Sequence, residues 1–126
     1  MTLVLDAGAF LAVERGDREV MALVKRERLA SRTPVTHGGV VGQVWRGGTG
    51  RQVVVARLLA GVEVTPLDGE LGRRAGILLG RAAQRDVVDA AVVLLAAHDD
   101  EILTSDPSDL EALAAAAGTH VDLIPV

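Results

Sequence analysis

The stretch Leu3-Val4-Leu5-Asp6-Ala7-Gly8-Ala9-Phe10 decides the fold, because it joins a short apolar strand directly to an apolar helix. Leu3 to Leu5 is typical of a buried strand, and the run from Ala7 to Val13 is typical of a helix. A strand followed at once by a helix is the first half of the unit from which parallel sheets are built. Asp6 stands at the junction, at the carboxyl end of the predicted strand.

The same alternation of strands and helices continues outward along the chain. Further strands are predicted over Thr33–Thr36, Val62–Thr65, Ile102–Thr104 and Val121–Ile124. Further helices are predicted over Asp17–Leu29, Val40–Arg46, Gln52–Ala60, Leu71–Ala83, Asp86–Ala97 and Pro107–Ala117. This alternation predicts an α/β protein, with a parallel sheet covered on both faces, in a single domain of residues 1–126. The first and fourth strands suit the centre, whereas the three strands that contain or adjoin proline suit positions nearer the edges.

The composition limits both the core and the chemistry. The 126 residues include no Cys or Tyr, one Trp and one Phe, so Leu, Val, Ile and Ala must fill the core. Without Cys there can be no disulfide, thiolate metal ligand or Cys nucleophile, and a reducing compartment such as the cytoplasm is expected. No export signal or membrane span is expected, because the longest unbroken apolar run, Ala90–Ala97, has eight residues.

The net charge of −4 is divided unevenly along the chain. All 13 Lys and Arg residues lie within residues 1–85, which carry +5, whereas residues 86–126 carry −9. Nine carboxylates without one Lys or Arg among them repel each other unless water, an arginine or a cation relieves the repulsion. For Asp99, Asp100 and Glu101 we expect a solvated acidic face. The roles of the other acids depend on where they lie in the fold.

Asp6 and Asp106 are expected at the carboxyl ends of two strands. Ligands of open α/β sheets bind beyond these ends, so neighbouring strands would bring both carboxylates to one crevice. Taken singly, each aspartate is better explained as the N-cap of the helix that follows it. Around Asp106 this interpretation is supported by Pro107 at the first helical position and Asp109 at the third. Capping does not exclude metal binding, because a carboxylate has two oxygens.

Asp89 is harder to explain as a structural residue. It lies in Val87–Leu95, a run that is apolar on nearly every face of a helix, so we expect Asp89 to be buried. A buried carboxylate needs a cation, an arginine or a dense set of hydrogen bonds, or else it takes up a proton. Asp86, three residues earlier, is interpreted as the N-cap of this helix rather than as a ligand.

Three acidic runs together resemble the motifs of a known family. Leu5-Asp6-Ala7-Gly8-Ala9-Phe10, Val88-Asp89-Ala90-Ala91 and Leu103-Thr104-Ser105-Asp106 look like the three acidic motifs of PIN domains. In that family the first Asp ends strand one, the next opens a long helix, and the last follows a strand end. The order and spacing match over essentially the whole chain. Small free-standing PIN domains are mostly VapC-type toxins, so the chain is similar to those.

The resemblance implies a three-layer sandwich with a five-stranded parallel sheet of order 3-2-1-4-5. It also implies a Mg²⁺ or Mn²⁺ site at Asp6, Asp89 and Asp106, with Asp86 and Asp109 as candidate accessory acids. The implied activity is endonucleolytic cleavage of single-stranded or structured RNA. The implied partners are a second copy of the chain, in a homodimer, and a small antitoxin protein. Carboxylate oxygens are the ligands that Mg²⁺ prefers, and a bound Mg²⁺ keeps several waters.

One position departs from the PIN pattern and leaves an alternative open. The family normally carries a fourth acid, usually Glu, on the helix after strand two, where this chain has Gln43. The amide oxygen of Gln43 can orient a metal-bound water but brings no negative charge. The alternative is therefore a weakly active or inactive PIN-fold protein that binds RNA or an antitoxin without cutting. A phosphoryl-transfer receiver domain is disfavoured, because it needs a late lysine and Lys25 is the only lysine.

The remaining candidates have simple structural explanations. Arg46 and Arg51 flank the glycine-rich loop of residues 47–50 and are candidates for RNA contacts, although a plain turn between helices explains the loop equally well. His37 is interpreted as a turn residue with a local hydrogen bond, although it could face the same crevice. His98 and His120 are expected in surface turns. Trp45 is expected in the core or at a dimer interface. A solvated helix face is expected for Arg73, Arg74, Arg81 and Arg85.

Overall fold

The computed structural model describes residues 1–126 and contains one five-stranded sheet in which every pair of neighbouring strands is parallel. The strands lie side by side in the order β3-β2-β1-β4-β5. This result confirms the α/β class, the parallel sheet and the strand order. The strands are β1 (Leu3–Leu5), β2 (Val35–His37), β3 (Glu63–Thr65), β4 (Glu101–Thr104) and β5 (Asp122–Pro125).

Seven α-helices connect the strands and cover the sheet. The first four helices form one group, in which α1 packs against each of the other three, and the last three helices pack against one another. Two groups of helices with a sheet are consistent with a three-layer sandwich. None of the helices is long and apolar enough to cross a membrane. The helices are α1 (Ala7–Glu14), α2 (Arg18–Leu29), α3 (Gly38–Val44), α4 (Val53–Ala60), α5 (Gly69–Ala82), α6 (Val87–Leu95) and α7 (Pro107–Ala117).

Among the strands, the largest boundary difference lies at β2. The predicted strand was Thr33–Thr36, whereas β2 begins after Pro34 and ends at His37. Pro34 has no N–H to donate to a neighbouring strand, so it precedes the strand instead of interrupting it. Its carbonyl still accepts the N–H of Glu63 at 2.9 Å. The proline lies outside the ladder, so β2 pairs with both β1 and β3, and the position nearer an edge that the proline predicts is wrong for this strand.

Several helix boundaries also differ from the prediction; α3, for example, covers Gly38–Val44 rather than Val40–Arg46. Helix α5 begins at Gly69 rather than Leu71, because the Asp68 carboxylate caps it by accepting the Leu71 N–H at 2.9 Å. Helix α6 ends at Leu95 rather than Ala97, where the backbone becomes extended.

The core is aliphatic with one aromatic ring, as the composition predicts. Phe10 is fully buried, and so are all three residues of β1. Ile102 and Leu103 of β4 are also fully buried, beside β1 at the middle of the sheet. The most apolar strands, β1 and β4, therefore lie in the interior of the sheet. Asp6 and Asp106 follow the ends of these buried strands.

The prediction of a solvated acidic face is wrong for two of its three residues. Asp100 is only 6% exposed, and its carboxylate accepts the N–H groups of Thr2 and Ala97, both at 2.8 Å. Glu101 accepts a hydrogen bond from Nη2 of Arg26 at 2.7 Å. These two acids satisfy donors that would otherwise lack partners near the amino end of the sheet. Asp99 is exposed, as expected.

Candidate metal centre

Asp6 lies at the carboxyl end of β1 and is almost completely buried. Its Oδ1 accepts the N–H of Gly8 at 2.7 Å, so the residue is the N-cap of α1, as predicted. Its own backbone N–H donates to the carbonyl of Leu103 in β4 at 3.1 Å. Burial raises the pKa of Asp6, and hydrogen bonds from the Thr104 side chain and nearby backbone N–H groups, Gly8 among them, oppose that rise. The carboxylate is thus held in place by both central strands.

Asp106 follows the end of β4 and takes the N-cap position of α7. The prediction that its side chain caps the helix is wrong, because the carboxylate makes no capping hydrogen bond. The backbone N–H of Asp106 instead donates to the Thr104 hydroxyl at 2.9 Å. Pro107 occupies the first turn of the helix and has no N–H to be satisfied there. The exposed carboxylate of Asp106 is therefore not engaged in capping.

Asp89 is the third residue of α6 and lies in the first turn of that helix. The expectation that it is buried is wrong in degree, because the side chain is partly exposed. The apolar character of α6 buries residues 90–93, whereas its first turn lies nearer solvent, with Val87 40% exposed. Burial, followed by the negative charges of four other aspartates, raises the pKa of Asp89 to about 7. The four aspartates are Asp86, Asp106, Asp6 and Asp109.

These four residues and Asp89 form what we call the acidic cluster. Asp86 is the N-cap of α6, as predicted, and accepts the N–H of Asp89 at 3.0 Å. Asp109 lies exposed in the first turn of α7. None of the five carboxylates forms a salt bridge, so no arginine or lysine compensates their repulsion. Asp89 therefore has no basic side chain that neutralises its charge.

The donor chemistry of the acidic cluster fits a hard divalent cation. All its side-chain donors are carboxylate oxygens, which Mg²⁺ and Mn²⁺ accept together with retained waters. Three members, Asp6, Asp89 and Asp106, come from three different elements that end or begin at the same edge of the sheet. As the side chains lie, no group of three His, Asp or Glu residues is arranged to hold an ion. Binding would therefore require the carboxylates to turn towards a shared cation.

Gln43 and the two loop arginines differ in whether their side chains form hydrogen bonds within the protein. Gln43 is exposed in the last turn of α3. The Arg46 guanidinium donates to the carbonyls of Gly42 and Trp45, at 3.1 and 2.6 Å, and so satisfies the end of α3. Arg51 is exposed. Of the two arginines, Arg51 is the less constrained for a contact with a phosphate.

The glycine-rich loop after α3 is organised by one side chain that the sequence analysis did not single out. The Gln52 amide oxygen accepts the N–H groups of Arg46 and Gly48, at 2.7 and 3.2 Å. The amide nitrogen of Gln52 donates to the Val44 carbonyl at 2.6 Å. These bonds support the interpretation of the loop as a turn between helices.

The histidines divide into one buried and two exposed residues. His37 is completely buried, so its interpretation as a turn residue is wrong, although the predicted local hydrogen bond is present to Gly39. Its neighbour Thr36 is also buried and donates its hydroxyl to the Leu5 carbonyl at 2.7 Å. His98 and His120 are exposed, as expected. The burial of His37 had no signal in the sequence beyond its place at a predicted strand end.

No family model matches the chain, and no curated protein matches it. The function is therefore inferred from the fold and the acidic cluster.

Gly8 lies where the start of α1 closely approaches Ser105, the residue that follows β4. A Cβ atom on Gly8 would lie 2.8 Å from Cβ and Oγ of Ser105 and 2.9 Å from its backbone nitrogen. We expect Gly8→Ala to lower the free energy of unfolding by about 1–3 kcal/mol, because the two backbones must separate. Urea unfolding measures the change. The matched control is Gly42→Ala, where a Cβ meets nothing within 4 Å; equal stability of the two variants would contradict the close approach.

The raised pKa of Asp89 predicts that metal binding depends on pH. Near pH 7 Asp89 is about half protonated, since its pKa is about 7. Cations bind the deprotonated carboxylate, so Mg²⁺ affinity should rise as the pH increases from 6 to 8, with release of roughly half a proton near pH 7. Calorimetric titrations in two buffers of different ionisation enthalpy measure that release. Affinity that stays constant over this range would show that Asp89 does not bind the ion.

Proposed function

We propose that this protein is a Mg²⁺- or Mn²⁺-dependent endoribonuclease with a PIN-like fold, of the kind that acts as the toxin of a toxin–antitoxin pair. The observation that carries the proposal is the acidic cluster, in which burial and the charges of the other aspartates raise the pKa of Asp89 and no basic side chain pairs with any member. The strand order 3-2-1-4-5 supports it, because the PIN resemblance implies the same order. The proposed compartment is the cytoplasm, which suits a chain without cysteine.

In this proposal each carboxylate has a distinct part. Asp6 is the most firmly positioned ligand, since the Gly8 N–H holds one of its oxygens. Asp106 contributes a carboxylate that is not used in capping, and Asp89 gives up its proton when the ion binds. The bound ion would supply activation of a water molecule and stabilisation of the charge that develops on the phosphate. Without a cation, the negative charge of the acidic cluster would repel a phosphodiester.

Three further residues are proposed to assist without binding the ion directly. Asp86 and Asp109 flank the proposed ligands and can hydrogen-bond the waters that Mg²⁺ retains. The Gln43 amide can orient such a water from α3. The exposed Arg51 can contact an RNA phosphate, which positions the substrate without reading its sequence.

Cleavage of total cellular RNA by the purified chain tests the activity. We expect discrete products with Mg²⁺ or Mn²⁺, no products with EDTA, and a loss of at least about a hundredfold in rate for Asp6→Ala. The matched control is Asp17→Ala, because Asp17 is the N-cap of α2 and accepts the N–H groups of Glu19 and Val20. Both variants lose a helix cap, but only Asp6→Ala loses a proposed ligand. Equal activity of the two variants would contradict the proposed site.

The alternative function is RNA or antitoxin binding without cleavage. Gln43 favours it, because an exposed amide replaces the acid that a fully active PIN site normally has. Metal binding without cleavage of any RNA would support this alternative. Cleavage with both Mg²⁺ and Mn²⁺ would rule it out.

Restoring the fourth acid is a further prediction for the proposed site. Gln43→Glu adds a carboxylate at the position where the family pattern has one, so we expect Mg²⁺ to bind about tenfold more tightly. Calorimetric titration of Mg²⁺ into the variant and the original chain measures the change. Affinity within twofold of the original chain would mean that Gln43 does not face the ion.

A groove on another part of the surface supports the proposed antitoxin partner. It has a volume of about 500 Å³ and lies between α2 and α4. Its walls combine apolar side chains with a set of basic side chains and no acidic one. This chemistry suits a partner segment that is apolar and acidic. The apolar lining includes Val24, Val54 and Leu58, and the basic lining is Lys25, Arg28, Arg32 and Arg57.

The proposed homodimer concerns a second surface. Trp45 is 39% exposed, so it does not lie in the core, and the dimer interface is the location that we propose for it. Its ring packs against the backbone of Gly48, where a Cβ atom would clash with the indole. Sedimentation of the purified chain tests dimerisation directly.

A further inference from the structure

His37 joins two parts of the fold through one buried ring. The residue ends β2 and is the N-cap of α3, and its Nδ1 accepts the N–H of Gly39 at 3.0 Å. Its Nε2 lies 2.9 Å from the carbonyl oxygen of Val88 in the first turn of α6. Because Nδ1 accepts a hydrogen bond, the proton of the neutral ring is on Nε2, which therefore donates to Val88. The neutral ring thus satisfies both contacts at once.

The contact with Val88 goes beyond what a helix cap requires. Ser, Thr, Asp and Asn cap helices with shorter side chains, and none of them reaches a carbonyl on an element 51 residues away. In the first turn of α6 the only other side-chain hydrogen bond is the local one from the Asp89 N–H to Asp86. The ring of His37 therefore supplies the one hydrogen bond that ties this turn to another element.

The surroundings of His37 hold the ring in this orientation. A Cβ atom on Gly39 would lie 2.8 Å from Cε1 of His37 and 3.0 Å from Cδ2 of Leu67. The ring therefore packs directly against the backbone of Gly39, where any larger residue would displace it. Burial also lowers the pKa of His37, which keeps the ring in the neutral form that the two hydrogen bonds need.

We propose that His37 is a positioning residue for the metal centre, because its bond to the Val88 carbonyl fixes the turn of α6 that carries Asp89. This inference rests on the proposed function, in which Asp89 binds the ion. Val88 directly precedes Asp89, and Asp89 is repelled by four neighbouring carboxylates. Without the bond from His37, the first turn of α6 can move away from Asp6 and relieve that repulsion. The cation would then have to restore the original position, and its affinity would fall.

Two substitutions of His37 each keep one of its two hydrogen bonds and weaken or remove the other. The side-chain oxygen of His37→Asn can still accept the Gly39 N–H, but its amide is too short to reach Val88. The longer amide of His37→Gln can still donate to Val88, but it caps α3 poorly. Both variants remove a buried ring and are expected to be less stable than the original chain. Only the first variant loses the bond to α6.

The experiment measures Mn²⁺ affinity and backbone amide exchange in the original chain and both variants. We expect about a tenfold loss of Mn²⁺ affinity for His37→Asn and at most about a threefold loss for His37→Gln. Without metal, the amides of Asp89 and Ala90 should exchange faster in His37→Asn than in His37→Gln, whereas the Gly39 amide should show the opposite order. The amide measurement needs no metal, so it tests the tether even if the metal proposal fails.

The outcomes distinguish this inference from the proposed function. Mn²⁺ binding by the original chain, with equal affinity in His37→Asn, would overturn the role of His37 and leave the metal centre intact. No Mn²⁺ binding by the original chain would overturn both. If His37→Asn does not fold, His37→Gln decides, because a tenfold loss of affinity in a variant that keeps the Val88 bond contradicts the inference.

Discussion

Replacing Asp89 by Asn is expected to stabilise the metal-free protein and to abolish its stabilisation by Mg²⁺. In the folded chain the pKa of Asp89 is raised to about 7 from its ordinary value of 3.8, chiefly by burial. Between these values the folded state holds a proton that the unfolded state has lost, so the contribution of Asp89 to stability falls as the pH rises. At pH 8 Asn removes this unfavourable charge, which we expect to add about 2 kcal/mol, allowing for the partial exposure of the side chain.

Thermal unfolding at two pH values, with and without Mg²⁺, measures the effect. At pH 5 Asp89 is protonated in the folded chain but ionised in the unfolded chain, so the difference between the two proteins should be smaller than at pH 8 and should disappear only below the ordinary pKa of 3.8. At pH 8 the variant should unfold at a higher temperature, and Mg²⁺ should raise the melting temperature of the original chain alone. A variant that is less stable than the original chain at pH 8 would show that the Asp89 carboxylate is structural.

Replacing Glu27 by Ala is expected to destabilise the protein by about 3 kcal/mol. Glu27 is completely buried, and its carboxylate accepts hydrogen bonds from Nη2 of Arg32 at 2.7 Å and Nε of Arg26 at 3.2 Å. Arg26 continues the network to Glu101. Removing the carboxylate leaves a cavity and deprives two guanidinium groups of a partner. Both arginine side chains are 39% exposed, so water replaces part of the lost interaction.

The pH dependence of the same variant provides a second measurement. The hydrogen bond from Arg32 is the main reason that the pKa of Glu27 is lowered, so its contribution is present above the ordinary pKa and lost in acid. The stability difference between the original chain and Glu27→Ala, measured in urea, should therefore shrink from pH 7 to pH 3. Glu111→Ala is the matched control, because Glu111 is exposed on α7 and forms no salt bridge. Equal losses in the two variants would contradict the buried network.

The strand order could be expected from the sequence because the order 3-2-1-4-5 accompanies the PIN resemblance, and the positions of the strands followed from local patterns. Leu3–Leu5 and Ile102–Leu103 are apolar without interruption, which only interior strands require. The N-caps Asp6 and Asp86 were also predictable, because a cap depends on residues two or three positions away. Interactions that are local in sequence leave local patterns, which predict these two caps correctly but not the cap that Asp68 forms at the start of α5.

The buried polar residues could not be predicted in the same way. Glu27 lies in a helix rich in charged residues, and its network ends at Glu101, 75 positions from Arg26. Asp100 receives the Thr2 N–H from a residue 98 positions away. The burial of His37 likewise depends on its contact with Val88. These partners become neighbours only through the fold, so no local pattern identifies them.

The candidate site stays a prediction in its members, and two details of its side chains differ from what the sequence predicts. Asp6 and Asp106 are predicted from their places at strand ends, and Asp89 from its place in an apolar helix; burial and the charges of the other aspartates raise the pKa of Asp89. The exposure of Asp89 was misjudged because the apolar run of α6 says nothing about which turn lies at the sheet edge. The side chain of Asp106 was misjudged because its cap position does not require a capping bond.

The central claim is that Asp6, Asp89 and Asp106 hold a divalent cation at the carboxyl edge of the sheet. The most direct test is a titration of Mn²⁺ into the purified chain at pH 8, with free Mn²⁺ followed by electron paramagnetic resonance. We predict at least one bound ion per chain, and loss of that ion in each of Asp6→Asn, Asp89→Asn and Asp106→Asn. A chain that leaves all Mn²⁺ free, or three variants that bind Mn²⁺ as the original chain does, would contradict the claim.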